Sequence, residues 1–175
     1  MNHRLVSFRH SCLAAAFLFT GAVSALHATS TPEEMATWTK AADNKIYAQK
    51  LVNATMAAHP DLLVIGMHVT KPGTKEQRML ASNLDRIGKH DDEDDIGVAT
   101  EHKTICAPNQ TETFKFEVLM PMKDAKGNTL NAAIGFVFKY KAGGDEVKMH
   151  AKATAIRDEL ARQIPSLDAL FEPTK

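Results

Sequence analysis

The sequence predicts an α+β domain: an antiparallel sheet covered by a long N-terminal helix, a short connecting helix and a C-terminal helix. Two observations carry this reading. Between residues 111 and 141, two runs alternate with the period of two that marks a half-buried strand. Phe114, Phe116, Val118 and Met120 share one face of the first run, and Ile134, Phe136, Phe138 and Tyr140 share one face of the second. Between them Lys123, Asp124, Gly127 and Asn128 supply the residues a reversing backbone needs. The second observation is that helix start and stop signals flank the strand-like runs. An apolar hairpin face with five aromatic rings has to be covered, and helices are the elements left to cover it.

The first helix begins at Thr31, which can cap it, with Pro32 at the first helical position and Glu34 closing a capping box. Its periodicity runs through Met35, Trp38, Ala42, Tyr47, Leu51, Ala54 and Ala58, and Pro60 stops it. Trp38 and Tyr47 are expected in the core. The apolar run 62–70 is a buried strand ending at the turn Lys71, Pro72 and Gly73, with His68 on the face of Leu62, Val64 and Gly66. Residues 76–83 form a second strand. Acids at 91–95 then begin a short helix that extends to about His102. After the hairpin, Gly143, Gly144 and Asp145 break the strand and cap the last helix. Its stripe is Val147, Met149, Ala153, Ile156, Leu160 and Ile164, and Pro165 ends it. Residues 166–171 add one more turn, with Leu167, Leu170 and Phe171 against the domain.

Residues 1–28 have the layout of a secretory signal peptide. Arg4 and Arg9 precede a mostly apolar run from Cys12 to Val23, and Ala25 or Ala28 offers a small-residue cleavage site. The run is shorter than the ~20 apolar residues a membrane-spanning helix needs. Residues 29–175 then form a single domain, periplasmic or secreted, with no transmembrane segment after cleavage. Cleavage lowers the basic count from 21 to 19 against 21 acids, a balance that argues against nucleic acid as a partner. It also leaves Cys106 without a partner for a disulfide, expected to be buried beside the sheet.

The chemistry-bearing residues are few. The acidic run from His90 to Asp95 fails as a calcium loop: counted from Asp92, Gly97 fits the sixth position, but Ile96 stands fifth and Lys103 twelfth. A solvated helix start explains it, so no metal and no cofactor are expected. A hydrolytic enzyme would need Cys106 beside His68 or His102, and no catalytic set is expected. Ser82, Asn83, Asp85 and Arg86 arrive together where a strand enters a loop, a place where rigid scaffolds carry binding groups.

The element order resembles a PAS-like sensor domain of the extracytoplasmic Cache kind, over residues 32–164. The resemblance implies a pocket for a small metabolite between the sheet and the segment joining its early strands, here 83–103. Such domains are usually anchored by membrane helices and joined to a signalling protein, whereas this chain reads as a stand-alone relative with a membrane-bound signalling partner. The expected ligand is a small organic anion such as a carboxylate, held by the fork of Arg86 with Ser82, Asn83, His68 and Lys139 supplying further donors. A partner-binding or structural role is the alternative. Export makes the first testable outcome: the intact mass of the secreted protein should correspond to cleavage after Ala25 or Ala28, and a mature form retaining Arg4 and Arg9 would refute it.

Overall fold

The computed structural model describes residues 45–70 and 73–174. The expectations for the signal segment and for Thr31, Pro32, Glu34 and Trp38 lie outside these residues. In chain order the elements are α1 (Tyr47–Ala58), β1 (Leu62–Thr70), β2 (Gln77–Ser82), α2 (Glu93–Glu101), β3 (Ile105–Pro108), β4 (Lys115–Lys123), β5 (Thr129–Lys139), α3 (Glu146–Ala161) and a closing 3-10 turn (Asp168–Phe171). The class is α+β. The strands form one antiparallel sheet in the order β2-β1-β5-β4-β3.

The alternating hairpin lies at the centre of this sheet. Phe116, Val118, Met120 and Met122 of β4 and Ile134, Phe136 and Phe138 of β5 are buried on one face. Ile65, Met67 and Val69 of β1 join them, and α1 and α3 close over that face with Leu51, Val52, Ala153, Ile156 and Leu160. The turn works as its residues suggest. Asp124 accepts a hydrogen bond from the Asn128 side-chain amide at 2.9 Å and others from Asn128 N and Lys126 N at 2.8 and 2.9 Å, which hold its carboxyl below the usual carboxylate range. Gly127 takes φ +83°, a conformation that costs little without a Cβ.

Several elements differ from the reading of the sequence. The first helix was expected to run through Ile46, but Ile46 is extended and bridges Pro173, so the described helix begins at Tyr47. The buried stripe of α1 is Ala48, Leu51, Val52 and Thr55, with Ala54 and Ala58 exposed. Phe114 precedes β4 and is 56% exposed, because the strand starts at Lys115. Leu62 leaves the face of His68 for the core, since an irregularity in the β1–β5 register between Leu62 and Val64 switches the alternation. Helix α3 ends at Ala161, its first-turn Val147 is 79% exposed, and Ile164 is buried beyond the helix.

Strand β3 is an addition. Four residues pair with β4 at the sheet edge, and Cys106, opposite Val118, is exposed rather than buried. The expectation of a buried thiol fails because β3 is the edge strand of the sheet and all four of its residues are exposed.

The core makes a direct prediction. Phe136→Ala should lower the unfolding free energy by about 3–5 kcal/mol in urea, because it opens a cavity among rings and methyls that cannot close on it. Phe114→Ala should change it by less than about 0.5 kcal/mol.

Candidate functional site

The sheet's second face is built from small and polar side chains. Gly66 and His68 of β1 and Ala133 and Gly135 of β5 lie there, where α2 packs with Val98 and Ala99 against Ala133 and Leu119. The apolar cluster on this side is far smaller than the one under α1 and α3.

The segment after β2 determines what else reaches this face. From Ser82 the chain turns through 84–88 and runs back along the free edge of β2. Gly88 N donates to Met79 O, Met79 N to Lys89 O and Asp91 N to Gln77 O, at 2.8, 3.0 and 3.3 Å. This return strand delivers Asp91 beside His68. Asp92 then caps α2, accepting from Asp94 N and Asp95 N in a capping box, so Asp95 falls in the first helical turn. Gln77 Nε2 donates to Asp95 O at 3.0 Å and ties that turn to β2.

The result is a compact triad. His68 Nδ1 is 2.8 Å from Asp91 Oδ1 and 3.3 Å from Asp95 Oδ2. The side chains of His68, Asp91 and Asp95 are 10%, 1% and 14% exposed. Asp91 Oδ2 is buried with no hydrogen-bond partner among the described residues. Burial by itself pulls the His68 pKa down, but the hydrogen bond its ring donates to Asp91 and the charges of Asp91, Asp95 and Asp92 outweigh it and hold the ring above its ordinary 6.5. Burial pushes Asp95 up to about 6 against the pull of His68, with Asp91 and Asp92 adding to the rise. Acids at 91–95 are therefore not all solvated: Glu93 and Asp94 face water, while Asp91 and Asp95 turn inward.

The five residues expected at a ligand site do not converge. His68 belongs to the triad. Ser82 is buried, donating from its hydroxyl to Ile65 O and accepting from Leu84 N. Asn83 extends β1 with its side chain, accepting from Ile65 N and donating to Leu63 O at 2.9 and 3.0 Å. Arg86 is exposed. Lys139 is exposed at the far end of β5, six residues beyond the Ala133 that faces His68, or roughly 20 Å along the strand. Asp91 and Asp95 were missed as site residues. They flank the cap Asp92, one on the return segment and one in the first turn of α2, so no single periodicity in the sequence pairs them. A separate groove of about 560 Å³ opens at the β2 edge, lined in part by Ile46, Val69, Arg78, Ile87 and Phe171. None of the triad lines it, and Arg78 is held there by Glu76 and Gly88 O.

No family model matches the chain, and no curated protein matches it significantly. Solved structures do. The chain is similar to the nlh2 GAF domain of A. aeolicus in an inactive state, at 11% identity and a TM-score of 0.49, over 79% of this chain and 90% of that one. A structure described as the GAF domain matches at 14% identity and a TM-score of 0.46, over 73% and 81%. An IclR-family transcriptional regulator from Rhodococcus sp. matches at 10% and 0.42, over 79% and 68%. GAF domains are PAS-like in fold; the Cache kind suggested by the element order is not among these three. No helix among the described residues is long and apolar enough to cross a membrane.

The triad predicts a pH dependence whose sign follows from the two shifts. Both pKa values are raised in the folded protein, so the native state binds protons more tightly and stability falls as pH rises. Asp95 acts between its ordinary 3.8 and about 6; the His68 contribution is whole below 6.5 and is lost as pH rises through the higher folded value. In chelator-treated protein the melting temperature should therefore fall from about pH 5 to about pH 8, and H68Q and D95N should each flatten that slope. A parent slope of opposite sign would contradict the assignment.

Proposed function

We propose that this chain is an exported binding domain of sensor type, and that it takes a small ligand at the His68, Asp91 and Asp95 cluster. One observation carries the reading. Two carboxylates are held against one imidazole under the segment 83–103, with a buried Asp91 oxygen lacking a donor among the described residues. Burying ionised groups is unfavourable by several kcal/mol each unless they are well paired, and apolar side chains in their place would let α2 pack at least as firmly. Such an arrangement in a fold that does not need it is a mark of function.

The chemistry of the groups selects the ligand. Carboxylate oxygens accept hydrogen bonds and attract positive charge, so the site suits a cation or a donor-rich molecule. A small organic anion would need convergent donors, and the side chains of Ser82 and Asn83 are bonded to β1 while Arg86 and Lys139 lie apart. Export is supported by Arg4, Arg9 and the apolar run after them. Binding rather than catalysis is supported by His68, whose Nδ1 faces Asp91 and Asp95 rather than a nucleophile.

A thermal-shift screen tests this. Cationic ligands, metal ions and amines together, should raise the melting temperature of the parent in a saturable way, since a ligand that binds only the folded state stabilises it. The rise should shrink in D95N. Equal shifts in parent and D95N, or shifts with organic anions only, would refute the site.

A further inference from the structure

We infer that His68, Asp91 and Asp95 form a binding site for one divalent transition-metal ion. This deepens the reading above and rests on it. Each residue offers one ligand atom, and the three atoms lie within 4.8 Å of one another. Imidazole nitrogen and carboxylate oxygens bind zinc at ~2.0–2.2 Å, so neighbouring ligands in a tetrahedral site are roughly 3.4 Å apart. The observed separations from His68 Nδ1, 2.8 and 3.3 Å, are somewhat shorter than that requirement, and small side-chain rotations would open the set onto an ion.

The second observation is independent of the clustering. Asp91 is 1% exposed at its side chain, and its Oδ2 is buried without a hydrogen-bond partner among the described residues. Buried carboxylate oxygens are normally satisfied by donors. The described residues place no donor within reach, and a metal ion bound by this carboxylate is a partner that can satisfy it.

Charge points the same way. Two carboxylates lie against one imidazole in a place with little solvent, and a divalent ion held by both carboxylates and a neutral ring nitrogen leaves the set with no net charge. Nδ1 binds through its lone pair, any proton it carries passing to water, while the ring keeps its proton on Nε2. Gly66 makes room for that ring, because a Cβ there would lie 3.2 Å from His68 Nε2. The α2 cap holds the third ligand, with Asp92 N donating to Asp95 Oδ2 at 3.4 Å. Imidazole with carboxylates suits zinc, manganese or iron rather than a soft, thiolate-seeking ion. Three protein ligands leave a coordination position for a small exogenous molecule, and the partial exposure of Asp95 provides its access.

The test uses the untagged full chain, stripped with a chelator and titrated calorimetrically with zinc and manganese. Visible absorption of added cobalt reports the coordination. One equivalent of zinc should bind saturably and raise the melting temperature, and the chelator should reverse both. Loss of an outer-shell partner typically weakens metal binding 10- to 100-fold, so H68Q and D95N, which remove ligands, should each weaken it by at least about tenfold. E93Q, an exposed acid of the same run, should leave it unchanged. Circular dichroism and the unliganded melt establish that each variant is folded; D95N, at the more exposed ligand, keeps the test decisive if H68Q does not fold. Parental affinity in D95N, or equal weakening in E93Q, would overturn the assignment. If an amine binds the chelated protein and is lost in D95N while no metal binds, the metal site falls and the acidic-cluster reading stands. If neither binds, both fall.

Discussion

The fold depends on the one-sidedness of its sheet. Phe116, Phe136, Phe138, Ile134 and Met120 crowd one face of the central strands, and α1 and α3 are held there by the apolar area they cover. Hydrophobic burial is roughly proportional to area, so this face supplies most of the driving force and fixes the register of the hairpin. A slip of one residue between β4 and β5 would turn every ring to the opposite side.

With the core secured on one side, the other side is free to carry polar chemistry. Gly66, Ala133 and Gly135 project little or nothing, so α2 approaches closely and the space left under its first turn holds an imidazole and two carboxylates. Helix geometry favours the acids there. Backbone N–H groups at a helix start have no intrahelical partners and attract negative charge, which is how Asp92 and Asp95 come to share a capping box. The same residues serve as structure and as site. Asp95 caps the helix with one oxygen near Asp92 N and presents that oxygen 3.3 Å from His68.

The groove at the β2 edge and the triad draw on opposite faces of this arrangement. Ile46, Val69 and Phe171 line the groove on the core side, where the bridge between Ile46 and Pro173 brings the closing 3-10 turn against the start of α1. The triad sits behind β2, where the return segment 88–91 runs along its edge. Strand β2 separates the two and supplies backbone partners to the return segment, so a change in its position would be felt on both sides.

Local pattern was enough to define β1, the hairpin of β4 and β5, its Asp124 turn and the acid-capped α2, because alternation, turn residues and caps act through neighbours in the chain. It was not enough where a distant partner decides the outcome. Ile46 is extended because Pro173 bridges it, β3 exists because β4 offers an edge, and Phe114 is exposed because its strand begins one residue later. The site shows the same limit. His68 stood out as a polar ring on a strand, and the acids stood out as a charged run, but 23 residues separate His68 from Asp91. Nothing local joins them. Ser82 and Asn83 looked like free binding groups for the same reason: their partners, Ile65 and Leu63, lie on another strand. What the sequence by itself determined is the set of elements and the face of the sheet that must be buried. The tertiary structure decided which polar groups meet, because hydrogen bonds and charges act over a few ångströms in space and leave no periodicity along the chain.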